Sequence, residues 1–253
     1  MSELAVYNIL IMSALLSAVT VFAVLFFVTA PYGRHYRPGW GPTLGNRLGW
    51  LLMESAAPVV FLVCYVTGSE RGSLASLLFL GMWEVHYVHR AFLFPFSIRG
   101  NARRMTALVI SLGFVFNGAN AYLNGRYLFQ FSGGYSSGWL SDPRFLLGTA
   151  LFVFGFAVNR QADRTLRNLR SPNGAGYGIP HGGMYKWISC PNYCGEIMMW
   201  SGWAVATWSI PGLVFALWTL ANLVPRARSH QRWYRHHFPD YPPERKALVP
   251  LLW

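Results

Sequence analysis

Charge is what this chain has least of. Only 12% of its 253 residues are Asp, Glu, Lys or Arg, against about 25% in an ordinary soluble domain. Acidic residues are the scarcest, nine in all. Cysteine is nearly missing as well: Cys64, Cys190 and Cys194 are too few and too scattered for a disulfide framework. The CPNYC stretch ending at Cys194 has no companion His/Cys pair at zinc spacing. HYVHR, from His86 to Arg90, offers two histidines without a third ligand. No metal site is therefore expected. Neither G-x-x-x-x-G-K-[ST] nor H-E-x-x-H occurs, and GAGYG is not G-x-G-x-x-G and follows no strand pattern, so phosphate-loop, zincin and Rossmann chemistry are excluded. The N-terminus lacks a basic n-region and its apolar run is long enough to span a bilayer, so a cleavable signal peptide is not expected. There is no internal repeat and no low-complexity tract.

What is present is apolar and aromatic: 53% hydrophobic residues and 17% Phe, Trp and Tyr. Apolar runs of roughly 20 residues recur, the length of a membrane helix. The expected fold class is an all-α polytopic membrane protein, one transmembrane domain over residues 1–253. Seven spans are expected, at about Val6–Ala30, Leu48–Val66, Leu74–Phe96, Met105–Leu123, Phe145–Asn168, Tyr193–Trp208, and from the Ser209–Gly212 break to Val224. Pro211 cannot continue a helical hydrogen-bond ladder and separates the last two. The net charge of +12 would suggest nucleic acid in a soluble protein, but here the basic residues lie between apolar runs. With seven spans, seventeen of the 21 Lys and Arg fall on one side, and only Arg71, Arg126 and Arg144 on the other. The positive-inside rule then puts the C-terminus in the cytosol and the N-terminus outside. On the cytosolic side lie the expected loops 97–104 and 171–191 and the tail 225–253, long enough to close over a ligand.

Ionisable groups inside such spans are costly and face a bundle interior or a hydrated cavity. Glu54 stands alone in WLLMESAAP. In the third span Glu84, His86, Tyr87, His89 and Arg90 crowd into two turns; Glu84, Tyr87 and Arg90 follow one another at helical spacing. In the fifth, Asn159, Asp163, Arg167 and Arg170 fall within an arc of roughly 80°. In the sixth, Asn192 and Glu196 share a stripe with Met199 and Trp203. In the fourth, Asn117, Asn120 and Asn124 follow Gly113. Each has a plainer reading: interhelical hydrogen bonds for the asparagines, interfacial anchoring for the arginines, a structural ion pair for Asp163 with Arg167, and packed histidines for His86 and His89. Arg167, Arg170, Arg226, Arg228, His230 and Tyr234 form a basic-aromatic cluster of the kind that grips phosphates.

HYVHRAF, NRQADRTLRNLR, GYGIPHGGMYKWISCPNYCGEIMMWSGWAVATWSIPG and RSHQRWYRHHFPDYPPERKALVPLLW together resemble the membrane steroid 5-alpha-reductases, with the look of a bacterial-type homologue. The resemblance covers Leu48 to the C-terminus. It implies a seven-helix enzyme that uses NADPH to reduce the 4,5-double bond of a 3-oxo-4-ene steroid, a hydrophobic substrate drawn from membrane lipid. It implies that Glu54 and Tyr87 engage the 3-keto oxygen; the neighbouring Glu84, His86, His89 and Arg90 are then read as the residues that position them. It implies cofactor contacts at Asn159, Asp163, Arg170, Tyr177, Asn192, Glu196, Arg226, His230 and Tyr234, and less directly at Arg34 and Arg167. The location implied is a bacterial inner membrane, or the endoplasmic reticulum in a eukaryote, with the cofactor site facing the cytosol. Neither nucleic acid nor an obligate protein partner is expected. Two departures stand out. Met53 replaces a Gln common in the animal enzymes, and Gly178 replaces a basic residue. A polyprenol or enoyl-lipid reductase of the same superfamily remains an alternative. So does a methyltransferase of the isoprenylcysteine or phospholipid type, which would carry a Glu pair where this chain has Ala227-Arg228-Ser229-His230.

Overall fold

A computed structural model describes residues 1–29, 35, 39–97, 104–169 and 177–250. Arg34 and Arg170, most of loop 97–104 and the first part of loop 171–191 lie outside the described residues. Nearly everything else is helix. The order is α1 (Glu3–Phe27), β1 (Thr43–Gly45), α2 (Asn46–Thr67), α3 (Leu74–Val88), a π-helical turn at His89–Leu93, α4 (Phe94–Ser97), β2 (Arg104–Thr106), α5 (Ala107–Arg126), a second π turn at Tyr127–Phe131, α6 (Pro143–Leu169), α7 (Pro191–Thr207) and α8 (Ile210–His237). The two short strands pair antiparallel, Thr43 opposite Thr106 and Gly45 opposite Arg104, and pin the start of α2 to the start of α5. The sequence reading had no strand there.

Among the described residues five helices are long and apolar enough to cross a membrane: α1, α2, α5 with its π turn, α6 and α8. This is an all-α integral membrane architecture. As single helices α3 and α7 are shorter, at 15 and 17 residues. The His89–Leu93 turn and α4, however, carry the α3 direction on without a break to Ser97.

Local sequence explains the ends. Ser73 caps α3 by accepting from the Ser76 amide. Asp142 precedes α6 and accepts from both the guanidinium and the amide of Arg144, which hold its carboxyl down at about 2. The chain breaks between α7 and α8 where Trp208 turns left-handed at φ 45°. Ser209 then accepts from the Gly212 amide at 3.1 Å and restarts the helix, with Pro211 in its first turn, where the missing N–H costs nothing. One expectation fails here. α8 does not stop at Val224 but runs through Pro225 to His237. The residues beyond Pro225 keep a buried face, with Ala227 and Tyr234 seven apart, and Ala227 packs with Cys190, Ala247 and Leu248. Tertiary burial overrides the local cost of an interior proline. The tail is thus a helix as far as His237 and only then a strap. The strap runs beside the start of α7: Ser189 and Cys190 amides donate to Lys246 and Ala247 carbonyls. Tyr241 is buried and donates to Ser189 Oγ at 2.7 Å.

The closest packing joins α6 to α7. Gly148 and Gly155 of α6 and Gly195 and Gly202 of α7 are each seven apart, so each pair repeats on one face. A Cβ at Gly148 would fall 2.3 Å from the Ala206 nitrogen, at Gly155 2.4 Å from Met199, at Gly195 2.5 Å from Asn159, and at Gly202 2.4 Å from Phe152. Backbone therefore lies directly on backbone, the usual close approach of small residues in membrane helices. Below the site an aromatic core fills the bundle: Phe61 stacks on Trp83 with centroids 4.4 Å apart, and Trp200 packs on Phe215 at 4.2 Å.

Gly202→Val must push backbone against backbone, which no rotamer change relieves. The expected loss exceeds the 1–3 kcal/mol typical of overpacking. Gly81 has open space around its Cβ position, so Gly81→Ala is expected to be neutral or stabilising by up to about 1 kcal/mol. Thermal unfolding in detergent, followed by Trp fluorescence, separates the two; equal midpoints for Gly202→Val and the unaltered protein would refute the backbone contact.

Candidate active site

Four helices bring their ionisable residues to one place. α2 contributes Glu54, on the helix face that also carries Trp50, Ala57 and Phe61 at helical spacing. Glu54 is buried. Its Oε2 accepts from Asn117 Nδ2 of α5 at 3.2 Å, and the same Nδ2 donates to the Met53 carbonyl at 2.8 Å. The Met53 side chain lies over Gly113, where a Cβ would come within 2.4 Å of its Cγ. Glycine at 113 is what lets α5 approach closely enough for Asn117 to reach Glu54.

Arg90 occupies the centre. It lies in the π turn after α3, where the widened helix re-aims the side chain. Its Nε is 3.7 Å from Glu54 Oε1, and its Nη1 is 3.7 Å from Asp163 Oδ2 of α6. Glu196 of α7 is within electrostatic reach of the same guanidinium. Trp50 and Phe94 cover it, with ring centroids 4.7 and 5.2 Å from its central carbon. One cation thus faces three carboxyl groups from three helices. The plainer reading of Asp163 with Arg167 as a structural ion pair does not hold: Asp163 faces Arg90, and Arg167 donates to Ser97 Oγ at 2.8 Å. The reason is reach. Arg167 is one turn further along α6, level with the end of α4, while Arg90 points inward at the level of Asp163.

The row facing α7 follows from the glycine contact. Asn159 Nδ2 donates to the Asn192 carbonyl at 3.0 Å and lies 3.5 Å from Glu196 Oε2. Asn192 Nδ2 donates to Asp163 Oδ1 at 3.3 Å. Asn159, Asp163, Asn192 and Glu196 are therefore one connected acid-amide patch. One step further out, Tyr193 and His230 share a hydrogen bond of 2.9 Å, and Arg226 lies over the Tyr193 ring at 5.3 Å. Tyr177 meets Trp233 at 5.0 Å, and Tyr234 stacks on Tyr241 at 5.1 Å. Tyr234 is buried in that aromatic cluster at the base of the strap.

Tyr87 is buried beside Trp83 and Trp200, at 4.8 and 5.6 Å, with His86 edge-on at 4.9 Å. Its hydroxyl interacts electrostatically with Glu54, Glu196 and Arg90. Among the positioning candidates, His86 packs on Tyr87, and His89 accepts from Arg160 at 2.9 Å. Glu84 does not join them; its buried Oε1 has no hydrogen-bond partner among the described residues. The interhelical reading of the asparagines holds for Asn117 with α2, and for Asn124, which accepts from Trp203 of α7 at 2.9 Å. Sequence reasoning missed Trp50 and set Arg90 at the margin. Trp50 precedes Glu54 by four residues, a spacing that could have flagged it.

Comparison with known proteins points one way. The family model described as 3-oxo-5-alpha-steroid 4-dehydrogenase matches residues 103–253. A steroid 5-alpha-reductase DET2 of Gossypium hirsutum is 38% identical over 256 residues, spanning 100% of this chain and 99% of that protein. The 3-oxo-5-alpha-steroid 4-dehydrogenase 1 of Bos taurus is 41% identical over 238 residues, 92% of each chain. That of Mus musculus is 39% identical over 254 residues, 100% and 99% of the two chains.

Removing the central cation should leave the buried Asp163 and Glu196 carboxylates without their charge partner. Arg90→Met is expected to destabilise by about 3–5 kcal/mol, the usual cost of breaking a buried ion pair on one side. The additional substitution Asp163→Asn should recover part of that loss, because the neutral amide leaves less buried charge unpaired. Chemical unfolding of the single and double variants measures both; a double variant no more stable than Arg90→Met would refute the charge balance.

Proposed function

The chain belongs to the membrane 3-oxo-5-alpha-steroid 4-dehydrogenase family, and on that premise we propose that it reduces the 4,5-double bond of a 3-oxo-4-ene steroid at the expense of NADPH. The observation that carries this reading is the linkage of two unlike halves through Arg90: Glu54 on one side, Asp163 on the other, each 3.7 Å away. Reduction of a conjugated enone at its far carbon drives negative charge onto the carbonyl oxygen. Donors preorganised at that oxygen lower the barrier. Tyr87 is assigned as one donor and Glu54, in its protonated form, as the second. A phenol with a neutral carboxylic acid is an effective pair, as in ketosteroid isomerase.

The residues fit the cofactor in kind. The acid-amide patch of Asn159, Asp163, Asn192 and Glu196 supplies acceptors and donors for ribose hydroxyls and a carboxamide. Arg226, His230 and Tyr193 supply donors for phosphates, with Arg170 and Arg34 as further candidates and Tyr177 and Tyr234 at the edge. When bound, NADPH supplies the hydride. Everything else falls to the protein: Tyr87 and Glu54 hold the 3-keto oxygen, Arg90 balances their surroundings, and the Trp83–Trp200–Phe215 floor excludes water from beneath. The aromatic residues packed beside Tyr87, Trp83 and Trp200 among them, suit a steroid better than a polar metabolite.

We read the chain as one catalytic domain crossing the membrane seven times, with α3–α4 and α7 as the short spans. The basic connections face the cytosol, and the cofactor enters from that side. Protection of introduced cysteines from impermeant reagents on one membrane side tests that orientation.

Purified protein with NADPH and a 3-oxo-4-ene steroid is expected to yield the saturated 3-ketone, read by mass spectrometry. Losing a single such donor typically costs about 2.7–4 kcal/mol, or 10²–10³ in kcat. Tyr87→Phe and Glu54→Ala are therefore each expected to lose at least that much, while Glu54→Gln, which keeps a donor, retains measurable turnover. Full activity in Tyr87→Phe and Glu54→Ala would sink the assignment. NADPH oxidation with polyprenols but not with steroids would move the substrate class to lipids.

A further inference from the structure

A chain of buried amides ends at Asn120, and its direction can be read. Trp203 Nε1 donates to Asn124 Oδ1 at 2.9 Å. An indole nitrogen can only donate, so the Asn124 oxygen, not its nitrogen, must face it. The Asn124 NH₂ group then points the other way. It donates to Asn120 Oδ1 and to the Asn120 carbonyl, both at 3.1 Å. Asn120 therefore has its oxygen engaged and its NH₂ group left over. The usual ambiguity of an amide flip is removed by the indole at the far end. Asn120 is only 7% exposed, and its Nδ2 has no hydrogen-bond partner among the described residues. The Tyr87 hydroxyl interacts with the Asn120 side chain, but no closed hydrogen bond joins them.

We propose that Asn120 is a positioning residue for the reaction. It presents its N–H to the Tyr87 oxygen, so that the Tyr87 proton is committed to the substrate carbonyl. This rests on the proposed reading of Tyr87 as a carbonyl donor. A phenol can donate or accept, and left alone in a cavity its proton can turn to any acceptor nearby, Glu54 and Glu196 included. An amide N–H aimed at the phenol oxygen occupies an acceptor lone pair and leaves donation as the remaining role. Trp203 and Asn124 hold that amide in the donating orientation from two residues away, and all three are buried. Chains of aligned hydrogen bonds also polarise one another, which strengthens the last donor. The three positions sit on two helices whose relative placement is already locked by neighbours: Phe61 packs against Trp203 at 6.0 Å and Phe79 at 5.8 Å from the other side.

The test is a double-mutant cycle with Asn120→Leu, similar in volume but without donor or acceptor, and Tyr87→Phe. Asn120→Leu should lower kcat by roughly 10- to 100-fold, the scale on which loss of a hydrogen-bonded support acts at metal ligands. The KM for NADPH should stay within about threefold of the unaltered value, since the role assigned lies at the carbonyl, not at the cofactor. In the Tyr87→Phe background the same change should cost less than about threefold, because residues acting through one another are not additive. A second variant, Trp203→Phe, removes the anchoring N–H together with part of the buried ring, and its cost in kcat should likewise collapse in the Tyr87→Phe background, whereas a loss due to packing alone would persist there; it carries the test if Asn120→Leu does not fold. A readout free of turnover is the carbonyl stretch of steroid labelled with ¹³C at C3 and bound to the protein: it should move toward the free-ketone frequency in Asn120→Leu. Equal costs in the two backgrounds, or an unmoved carbonyl stretch, would overturn the role of Asn120. Absence of any enone reduction by the unaltered protein would overturn the reading of function instead.

Discussion

One guanidinium organises the interior. Arg90 sits between Glu54 of α2 and Asp163 of α6, with Glu196 of α7 in electrostatic reach and Trp50 and Phe94 over its faces. A cation in an apolar bundle is tolerable only beside anions, and each anion only beside the cation. The four helices that carry these groups are therefore tied to one arrangement by electrostatics as well as by packing. The 3.7 Å separations are contacts without closed hydrogen bonds, so the pairing sets position while leaving the carboxylate oxygens open to other partners.

The glycine contact makes the cluster geometrically possible. Asn159 and Asp163 follow Gly155 on α6, and Asn192 and Glu196 flank Gly195 on α7. Because a Cβ at Gly195 would come 2.5 Å from the Asn159 nitrogen, the helices cannot be further apart than they are without opening the Asn159–Asn192 bond. The acid-amide patch is thus a consequence of backbone proximity. The same logic recurs at Gly113, whose missing side chain admits Met53 and lets Asn117 reach Glu54. Small residues decide where polar residues of neighbouring helices can meet.

Much of this was legible in the sequence. Apolar run length located the long helices, a lone carboxylate in an apolar run flagged Glu54, and helical spacing singled out Tyr87, Asn159, Asp163, Asn192 and Glu196 as inward-facing. What was not legible has identifiable causes. Pro225 reads as a helix end because its missing N–H is a local fact, while the Ala227–Cys190–Ala247 packing that carries α8 past it is tertiary. Asp163 with Arg167 reads as an ion pair because four-residue spacing is local, while the true partner, Arg90, comes from another helix and through a π turn that sequence spacing does not announce. The β1–β2 clamp joins residues some sixty apart, beyond any periodicity. Arg34, Arg170 and the residues around them lie outside the described structure.

The two halves of the polar cluster differ in the sign of what they offer, and this bears on the proposed chemistry. Around Tyr87 the network runs toward donation: Trp203 to Asn124, Asn124 to Asn120, and, as proposed, the Asn120 N–H toward the phenol. Across Arg90 the acid-amide patch is rich in acceptors, with cations and a histidine beyond it at Arg226 and His230. A carbonyl oxygen that gains negative charge belongs in the first environment; hydroxyls and phosphates belong in the second. Had the indole of Trp203 been replaced by an acceptor, every amide in the chain could reverse and the phenol would be free to accept instead of donate. The orientation of a catalytic hydroxyl would then be set two residues away, by a core tryptophan that touches neither substrate nor cofactor, and the aromatic floor would be a determinant of chemistry as well as of packing.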